Sequence, residues 1–392
     1  MRRIEMPAEA RKIIECLYRE GYEAYIVGGC VRDALLGRAA DDYDITTSAH
    51  PSEIKRIFER TVDTGISHGT VTVIENGRSY EVTTFRVDGE YKDNRHPASV
   101  SYTTNVRDDL ARRDFTVNAL AYNDREGIVD AFSGIEDLKN GIIRCVRNPE
   151  ERFSEDALRV LRGIRFSSVL GFKIEDETKR GIRKFANNLS SISSERIYVE
   201  WKKLLSGRGA YDVICDFKDV IEVFAEELKG IEMPPRDSFY GLSYDERQLV
   251  LFALCESSSA FGTFAKRIKM DSKTRDTGIA VLDAIRELES QDTDPRLFVI
   301  GKRDEVSLCS AKIAAALGKC EMEALDEVKE LIDSDAPRRV SQLKINGNDL
   351  KELGIRGEAI GETLAKALGA VALGTVENEA ESLLEYVKSA KM

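Results

Sequence analysis

Apolar residues recur at helical spacing over residues 8–20, with Ala10, Ile13, Ile14 and Leu17 on one face. The period then shortens. Ala24-Tyr25-Ile26-Val27 is an apolar run halted by Gly28-Gly29, which predicts a strand entering a turn. Val31 to Leu36 suits a helix closed by Gly37. Tyr43-Asp44-Ile45-Thr46-Thr47 predicts a second strand, and 51–60 a helix with Ser48 and Pro51 as start signals. Two β-rich runs, 70–74 and 80–86, flank Asn76-Gly77, a hairpin turn signal. The polar stretch 87–102 predicts a mobile loop, 114–122 a buried segment and Ile128-Val129-Asp130 a strand. From about Ser154 helical periods run almost to the end, punctuated at Pro234-Pro235 and at 334–337. The predicted fold class is an α/β head with a mixed sheet and helices, followed by an all-α remainder.

Length and composition refine this picture. A chain of 392 residues is too long for one ordinary core. Its 42% hydrophobic and 32% charged residues describe a folded protein. No apolar stretch suits a signal peptide or a membrane span, so no membrane partner is expected. Seven dispersed cysteines without a CxxC imply reduced thiols and a cytoplasmic location. The net charge of −11 argues against a nucleic-acid partner, but only as a sum over the whole surface. Over residues 141–208, 15 Lys and Arg stand against 9 Asp and Glu. That local excess fits either a phosphate track or a solvated helix face.

Candidate chemistry lies in the head. On a strand, residues two apart share a face, so Asp42 and Asp44 would present two carboxylates together. Their repulsion asks for a cation, and hard oxygen ligands at this spacing suit Mg²⁺. Gly28 and Gly29 before a helix allow close backbone approach and a seat for a triphosphate, with Arg32 on the first turn as its partner. Alone, each signal is weak. Their order (strand, Gly-Gly, helix with Arg, strand with two aspartates) describes a phosphate cradle beside a metal site. Glu81, on the later strand, is the candidate third carboxylate. Such a site supports in-line displacement by two metal ions. His50, His68 and His96 show no ligand spacing, and nothing points to a Ser/His/Asp triad.

These residues resemble a known family. Gly28-Gly29-Cys30-Val31-Arg32-Asp33 followed by Asp42-Tyr43-Asp44 is similar to the head motif of bacterial-type (class II) CCA-adding tRNA nucleotidyltransferases and their poly(A) polymerase relatives, within the polymerase β-like superfamily. Asp109-Leu110-Ala111-Arg112-Arg113-Asp114-Phe115-Thr116-Val117-Asn118-Ala119-Leu120 resembles a second motif, Glu155-Asp156-Ala157-Leu158-Arg159 to Phe166 a third, and Ile192-Ser193-Ser194-Glu195-Arg196-Ile197, followed by Glu200 and Lys203, a fourth. The resemblance implies that Asp42 and Asp44 hold Mg²⁺ with Glu81 assisting. It implies that Gly28, Gly29 and Arg32 bind the triphosphate and that Arg113 serves the ribose or phosphates. Asp156 and Arg159 would face the incoming base, Arg162 and Arg165 would line the nucleotide site, and Asp114 would tie head to neck.

The third motif also has a reading of its own. On a single helix, Asp156 would lie three residues before Arg159, with Arg162 and Arg165 continuing the stripe. Cytosine and adenine both show an amino donor beside a ring-nitrogen acceptor, whereas uracil and guanine reverse it. An Asp/Arg pair could therefore accept CTP and ATP and reject UTP and GTP.

The resemblance implies four parts: a catalytic head at 1–140, a neck at 141–206, a body at 207–335 and a tRNA-binding tail at 336–392. In the tail, Gly354 and Gly357 around Ile355-Arg356 suit a turn into a helix able to hold an RNA phosphate. The expected partners are tRNA (acceptor and TΨC arm), CTP and ATP, with no obligate protein partner. The expected product is CCA. Alternatives within the family are a CC-adding or A-adding enzyme or a poly(A) polymerase. The loop 87–102, with Arg95-His96-Pro97, resembles the element of enzymes that switch from C to A and speaks against a CC-only enzyme; the want of a long basic extension speaks mildly against a poly(A) polymerase. A non-catalytic RNA-binding scaffold would have lost Asp42, Asp44 and Glu81. A small-molecule nucleotidyltransferase would have no use for the stripe from Asp156 to Arg165.

Overall fold

The computed structural model describes residues 3–89, 100–289 and 294–389. The residues 90–99, which carry most of the predicted switching loop, lie outside the described residues. The chain divides into two compact units, Met1–Glu226 and Glu227–Met392.

The first unit opens with α1 (Ala8–Arg19), whose Ala10, Ile13, Ile14 and Leu17 are buried as the spacing requires. Strand β1 (Ala24–Val27) is buried at every position and runs into α2 (Gly29–Leu35). There follow β2 (Asp44–Thr47), α3 (Pro51–Ile57), β3 (Thr61–Gly65), β4 (Thr70–Glu75) and β5 (Arg78–Thr84). Next come β6 (Arg86–Asp88), β7 (Val100–Tyr102), α4 (Val106–Ala111), β8 (Leu120–Asn123), β9 (Gly127–Asp130) and α5 (Gly134–Asn140). Seven strands form a mixed sheet in the order β3-β4-β5-β2-β1-β8-β9. The β2–β5 contact is parallel and its neighbours are antiparallel. The Asn-Gly hairpin forms as read. Asn76 and Gly77 both take positive φ, which matches strand twist and fixes Glu75 opposite Arg78.

Two local expectations are corrected. Helix α3 is shorter than 51–60, and its cap is His50, in a reciprocal box with Glu53, not Ser48. The Ser48 hydroxyl instead accepts the Glu23 amide.

A two-residue parallel bridge, β10 (Ile142–Ile143) with β11 (Lys173–Ile174), interrupts the otherwise helical region that follows. Around it lie α6 (Pro149–Glu155), α7 (Leu158–Leu170), α8 (Asp176–Lys184), α9 (Ser194–Ser206), α10 (Ala210–Asp216) and α11 (Lys218–Ile221). Helix α7 packs on α9, and Gly163 within it makes room for the head. A Cβ there would meet the Phe115 ring at 3.0 Å and Ile182 at 3.1 Å.

The second unit is helical: α12 (Tyr244–Phe252), α13 (Ser259–Arg267), α14 (Ser272–Glu289), α15 (Pro295–Phe298), α16 (Asp304–Ala316), α17 (Met322–Asp333), α18 (Gly347–Glu352), α19 (Ala359–Ala372) and α20 (Ala380–Ser389). Leu343, Ile345, Leu350, Leu364, Leu368 and Leu383 form a separate small core near its end. The turn before α19 has both glycines, Gly354 and Gly357, at positive φ, with Arg356 exposed between them. Among the described residues, no helix is long and apolar enough to cross a membrane.

Candidate functional site

The parallel register Ile45↔Val82 sets Asp44, at the start of β2, beside Glu81 in β5. Thr72 of β4 lies opposite Glu81. Asp42, Asp44 and Glu81 line one pocket of about 890 Å³, together with Asp41, Arg78 and Tyr80. The strand alternation expected to align Asp42 with Asp44 does not operate, because β2 begins only at Asp44. Asp42 reaches the pocket from the loop before the strand, and side-chain proximity replaces alternation.

Electrostatics couple the carboxylates in part: Asp42 acts on Asp44, and both aspartates act on Glu81. Asp44 is exposed as a residue, yet desolvation by the surrounding protein raises its pKa; Arg113 opposes the rise and Asp42 adds to it. Glu81 is raised by burial first, then by Asp44 and Asp42. Like charges held together without full compensation raise the affinity for protons, and equally for a cation. Among the described residues, no three His, Cys, Asp or Glu side chains close into a ready cage for an ion. The donor set is therefore open and all-oxygen. It fits a divalent cation that draws its remaining ligands from water and phosphate.

Beside this pocket stands the glycine turn. Gly28 has φ +81°, and a Cβ there would lie 3.1 Å from Arg113 Nη1, so glycine is required both for the turn and for the guanidinium against it. At Gly29 a Cβ would lie 3.6 Å from Arg32 Nη2, an ordinary contact, so there glycine is not demanded by space. Arg113 Nε is buried with no hydrogen-bond partner among the described residues. Asp109 anchors this edge. It is fully buried, pairs with Arg112 at 2.8 Å and Arg113 at 3.5 Å, and accepts the Thr46 hydroxyl and the Arg86 amide. Burial pushes its pKa up, but the two arginines outweigh burial and hold it below the usual carboxylate range. Arg32 donates Nε and Nη2 to Asp33 at 2.9 and 2.8 Å and Nη1 to Asn118 at 2.6 Å.

The third motif departs from the expected single helix. Helix α6 ends at Glu155, Asp156 is extended, and α7 starts at Leu158. An intrahelical pair of Asp156 with Arg159 is thereby ruled out. The Asp156 carboxylate accepts the Leu158 amide at 3.0 Å and pairs with Arg196 of α9 at 3.1 Å. Arg159, only 8% exposed, pairs with Glu155 at 2.6 Å and donates to the carbonyls of Arg152 and Arg112. Arg162 reaches Asp114 at 2.6 Å, and Arg165 reaches Glu200 at 2.8 Å. Asp114 thus joins head to neck: burial would raise its pKa, but Arg162 and the Asn118 amide hold it well below the carboxylate range.

The same pairing bears on the basic excess at 141–208. Asp114, Asp137, Asp216 and Asp219 lie outside that window and neutralise arginines or a lysine within it. The open phosphate track suggested by counting is therefore largely cancelled.

Sequence reasoning gave no role to Asp109, Asn118, Glu155, Arg196 or Glu200. Spacing could have found two of them. Asp109 precedes Arg113, and Glu155 precedes Arg159, by four residues, an offset that brings charges together here although in each case the helix ends before the arginine. Asn118 also meets Asp114 four residues back, but its contact with Arg32, like those of Arg196 and Glu200, spans a long chain separation.

The chain is similar to known proteins over its whole length. A family model of the poly A polymerase head domain matches residues 24–144. One named "Probable RNA and SrmB-binding site of polymerase A" matches 171–218, and one for tRNA nucleotidyltransferase domain 2 matches 242–387. The CCA-adding enzyme of Ligilactobacillus salivarius is 38% identical over 399 residues, covering 98% of this chain and 97% of its own. The CCA-adding enzyme of Bacillus stearothermophilus, solved in complex with CTP, superposes with a TM-score of 0.78 at 33% identity, covering 98% of both chains. The Thermotoga maritima CCA-adding enzyme complexed with tRNA shares the fold, with a TM-score of 0.72 at 23% identity over 97% of this chain and 94% of that one.

Proposed function

The chain belongs to the family of CCA-adding enzymes, and from that premise we propose how its pocket and arginines divide the work of building C, C and A on a tRNA 3′ end. The enzyme draws on CTP and ATP, uses no template strand and releases pyrophosphate. The observation that carries this reading is the uncompensated carboxylate pocket, seated beside the glycine turn in a chain related to such enzymes along its whole length.

Asp42 and Asp44 would hold Mg²⁺, with Glu81 completing the oxygen-rich wall; hard carboxylate oxygens and an open coordination sphere favour this ion over softer ones. When bound, such ions lower the pKa of the attacking hydroxyl and neutralise the leaving pyrophosphate. Gly28 and Gly29 let the triphosphate approach the backbone, while Arg113 and Arg32 hold its charge. Because α2 has only seven residues, the guanidinium groups rather than a helix dipole supply most of the positive field. The terminal 3′ oxygen of tRNA bonds to the α-phosphorus as the bond to the β-phosphate oxygen breaks, and the hydroxyl proton passes to water.

Asp156 and Arg159 would select the base: the carboxylate accepts an amino group and the guanidinium donates to a ring nitrogen, a pattern offered by cytosine and adenine. The supporting observation is that both are pinned, Asp156 by Arg196 and Arg159 by Glu155, so neither can turn to suit uracil. Arg162 and Arg165 would stiffen that wall from behind. We assign catalysis to residues 1–140, base choice to 141–206, helical support to 207–335 and tRNA binding to 336–392, with Arg356 as one phosphate contact. Seven free cysteines fit a reducing cytoplasm.

The deciding experiment supplies tRNA lacking its 3′ end with each labelled nucleotide and reads product length. Three additions ending in A are expected. Two additions from CTP alone, or a long A tract, would replace the CCA assignment by one of its relatives. In the same assay, Arg356→Ala should weaken tRNA affinity at matched salt, and unchanged affinity removes that contact.

A further inference from the structure

The arginine proposed for the triphosphate and the helix proposed for the base are joined by one side chain. Asn118 is 6% exposed. Its carbonyl oxygen accepts Arg32 Nη1 at 2.6 Å, and its amide nitrogen donates to Asp114 Oδ1 at 3.2 Å. Asp114 Oδ2 then receives Arg162, one turn along α7 from Arg159. The chemistry fixes the amide's orientation. A guanidinium only donates and a carboxylate only accepts, so the bridge needs an acceptor and a donor on one short side chain. An aspartate would turn a second carboxylate toward Asp114, and an aliphatic residue would leave both neighbours short of a partner. Phe166 of the same helix adds a second link: Arg32, Arg162 and Arg165 lie 5.3, 5.4 and 3.5 Å from its ring centroid.

We infer that Asn118 is a positioning residue that couples triphosphate binding to base selection. A triphosphate that draws on Arg32 fixes that guanidinium. Through Asn118 and Asp114 it fixes the register of α7, and so sharpens the aim of Arg159. Preference for cytosine over uracil is then larger for the triphosphates than for the monophosphates, which do not engage Arg32. This inference rests on the reading of Arg32 and Arg159 given above.

The test measures binding of CTP, UTP, CMP and UMP to the full chain without tRNA, so that no turnover occurs. In the unaltered protein the CTP/UTP ratio should exceed the CMP/UMP ratio. Asn118→Ala should lower the first ratio about tenfold, the worth of one lost hydrogen bond of this kind, and leave the second unchanged. Asn118→Asp should behave alike at about pH 8 and recover preference toward about pH 6, because protonating the introduced carboxyl restores a donor to Asp114. This second variant keeps the side-chain shape should the alanine chain fail to fold. A purely structural role would lower the melting temperature and leave both ratios and the pH profile fixed, which overturns the coupling. Equal ratios in the unaltered protein also overturn it while sparing the base-reading assignment. An absence of any cytosine preference refutes that assignment, and the coupling with it.

Discussion

The head and the neck of the first unit handle charge in opposite ways. In the head pocket, Asp44 and Glu81 sit with raised pKa values because burial and repulsion from neighbouring carboxylates are incompletely answered by protein cations. In the neck, each arginine of the third motif meets a carboxylate: Arg159 with Glu155, Arg162 with Asp114 and Arg165 with Glu200. The first arrangement stores unfavourable energy that a bound cation would release. The second pairs each arginine, although burial still holds the Arg165 pKa below its ordinary value against the pull of Glu200. The proposed metal site leaves charge unanswered, whereas the proposed base-reading wall pairs each of its arginines with a carboxylate.

The largest expected effect tests the head. Asp44→Asn should cut turnover by about three orders of magnitude or more, the value of several kcal/mol of transition-state stabilisation, with tRNA affinity nearly unchanged. Retained turnover would place the metal site elsewhere. Asp109→Ala probes the paired kind of site. Leaving Arg112 and Arg113 buried without their anion should cost about 3–5 kcal/mol in urea unfolding, and a loss within error would mean that water replaces the carboxylate.

Intermediate in size is Glu155→Gln, which frees Arg159 to move. Preference for CTP over UTP should fall by about tenfold while the rate with CTP changes less. Equal losses for both nucleotides would make Glu155 a stabilising residue only. The smallest effect concerns stability against pH. Carboxylates raised in the folded state favour folding below their unfolded pKa and lose that contribution as pH rises through the folded value. Glu81→Gln should therefore raise the melting temperature of the metal-free protein slightly at neutral pH, with the gain vanishing in acid. A lowered melting temperature would show that Glu81 is needed for packing rather than for charge.

Much of the head was legible from the chain. Val27 before Gly28-Gly29, the Asn76-Gly77 hairpin and the amphipathic 8–20 segment are local patterns, and each formed where it was read. The expectations that failed were also local, but they extended a period one step too far. Alternation was carried back from Asp44 to Asp42, which precedes the strand, and a helical stripe was carried through Asp156, where the helix breaks. Asp156 is extended where α6 ends, and its carboxylate accepts the Leu158 amide two residues on, a local bond that competes with helix.

The sequence by itself determined the elements, their order, and the residue types at the carboxylate pocket and the glycine turn, because hydrophobic period, turn chemistry and charge act over a few residues. The tertiary structure decided which charges are answered. Asp156 meets Arg196 across 40 positions, Arg165 meets Glu200 across 35, and Arg32 meets Asn118 across 86. Those partners are chosen by the packing of α7 on α9 and of both on the head, and electrostatic energy depends on distance in space rather than on separation along the chain.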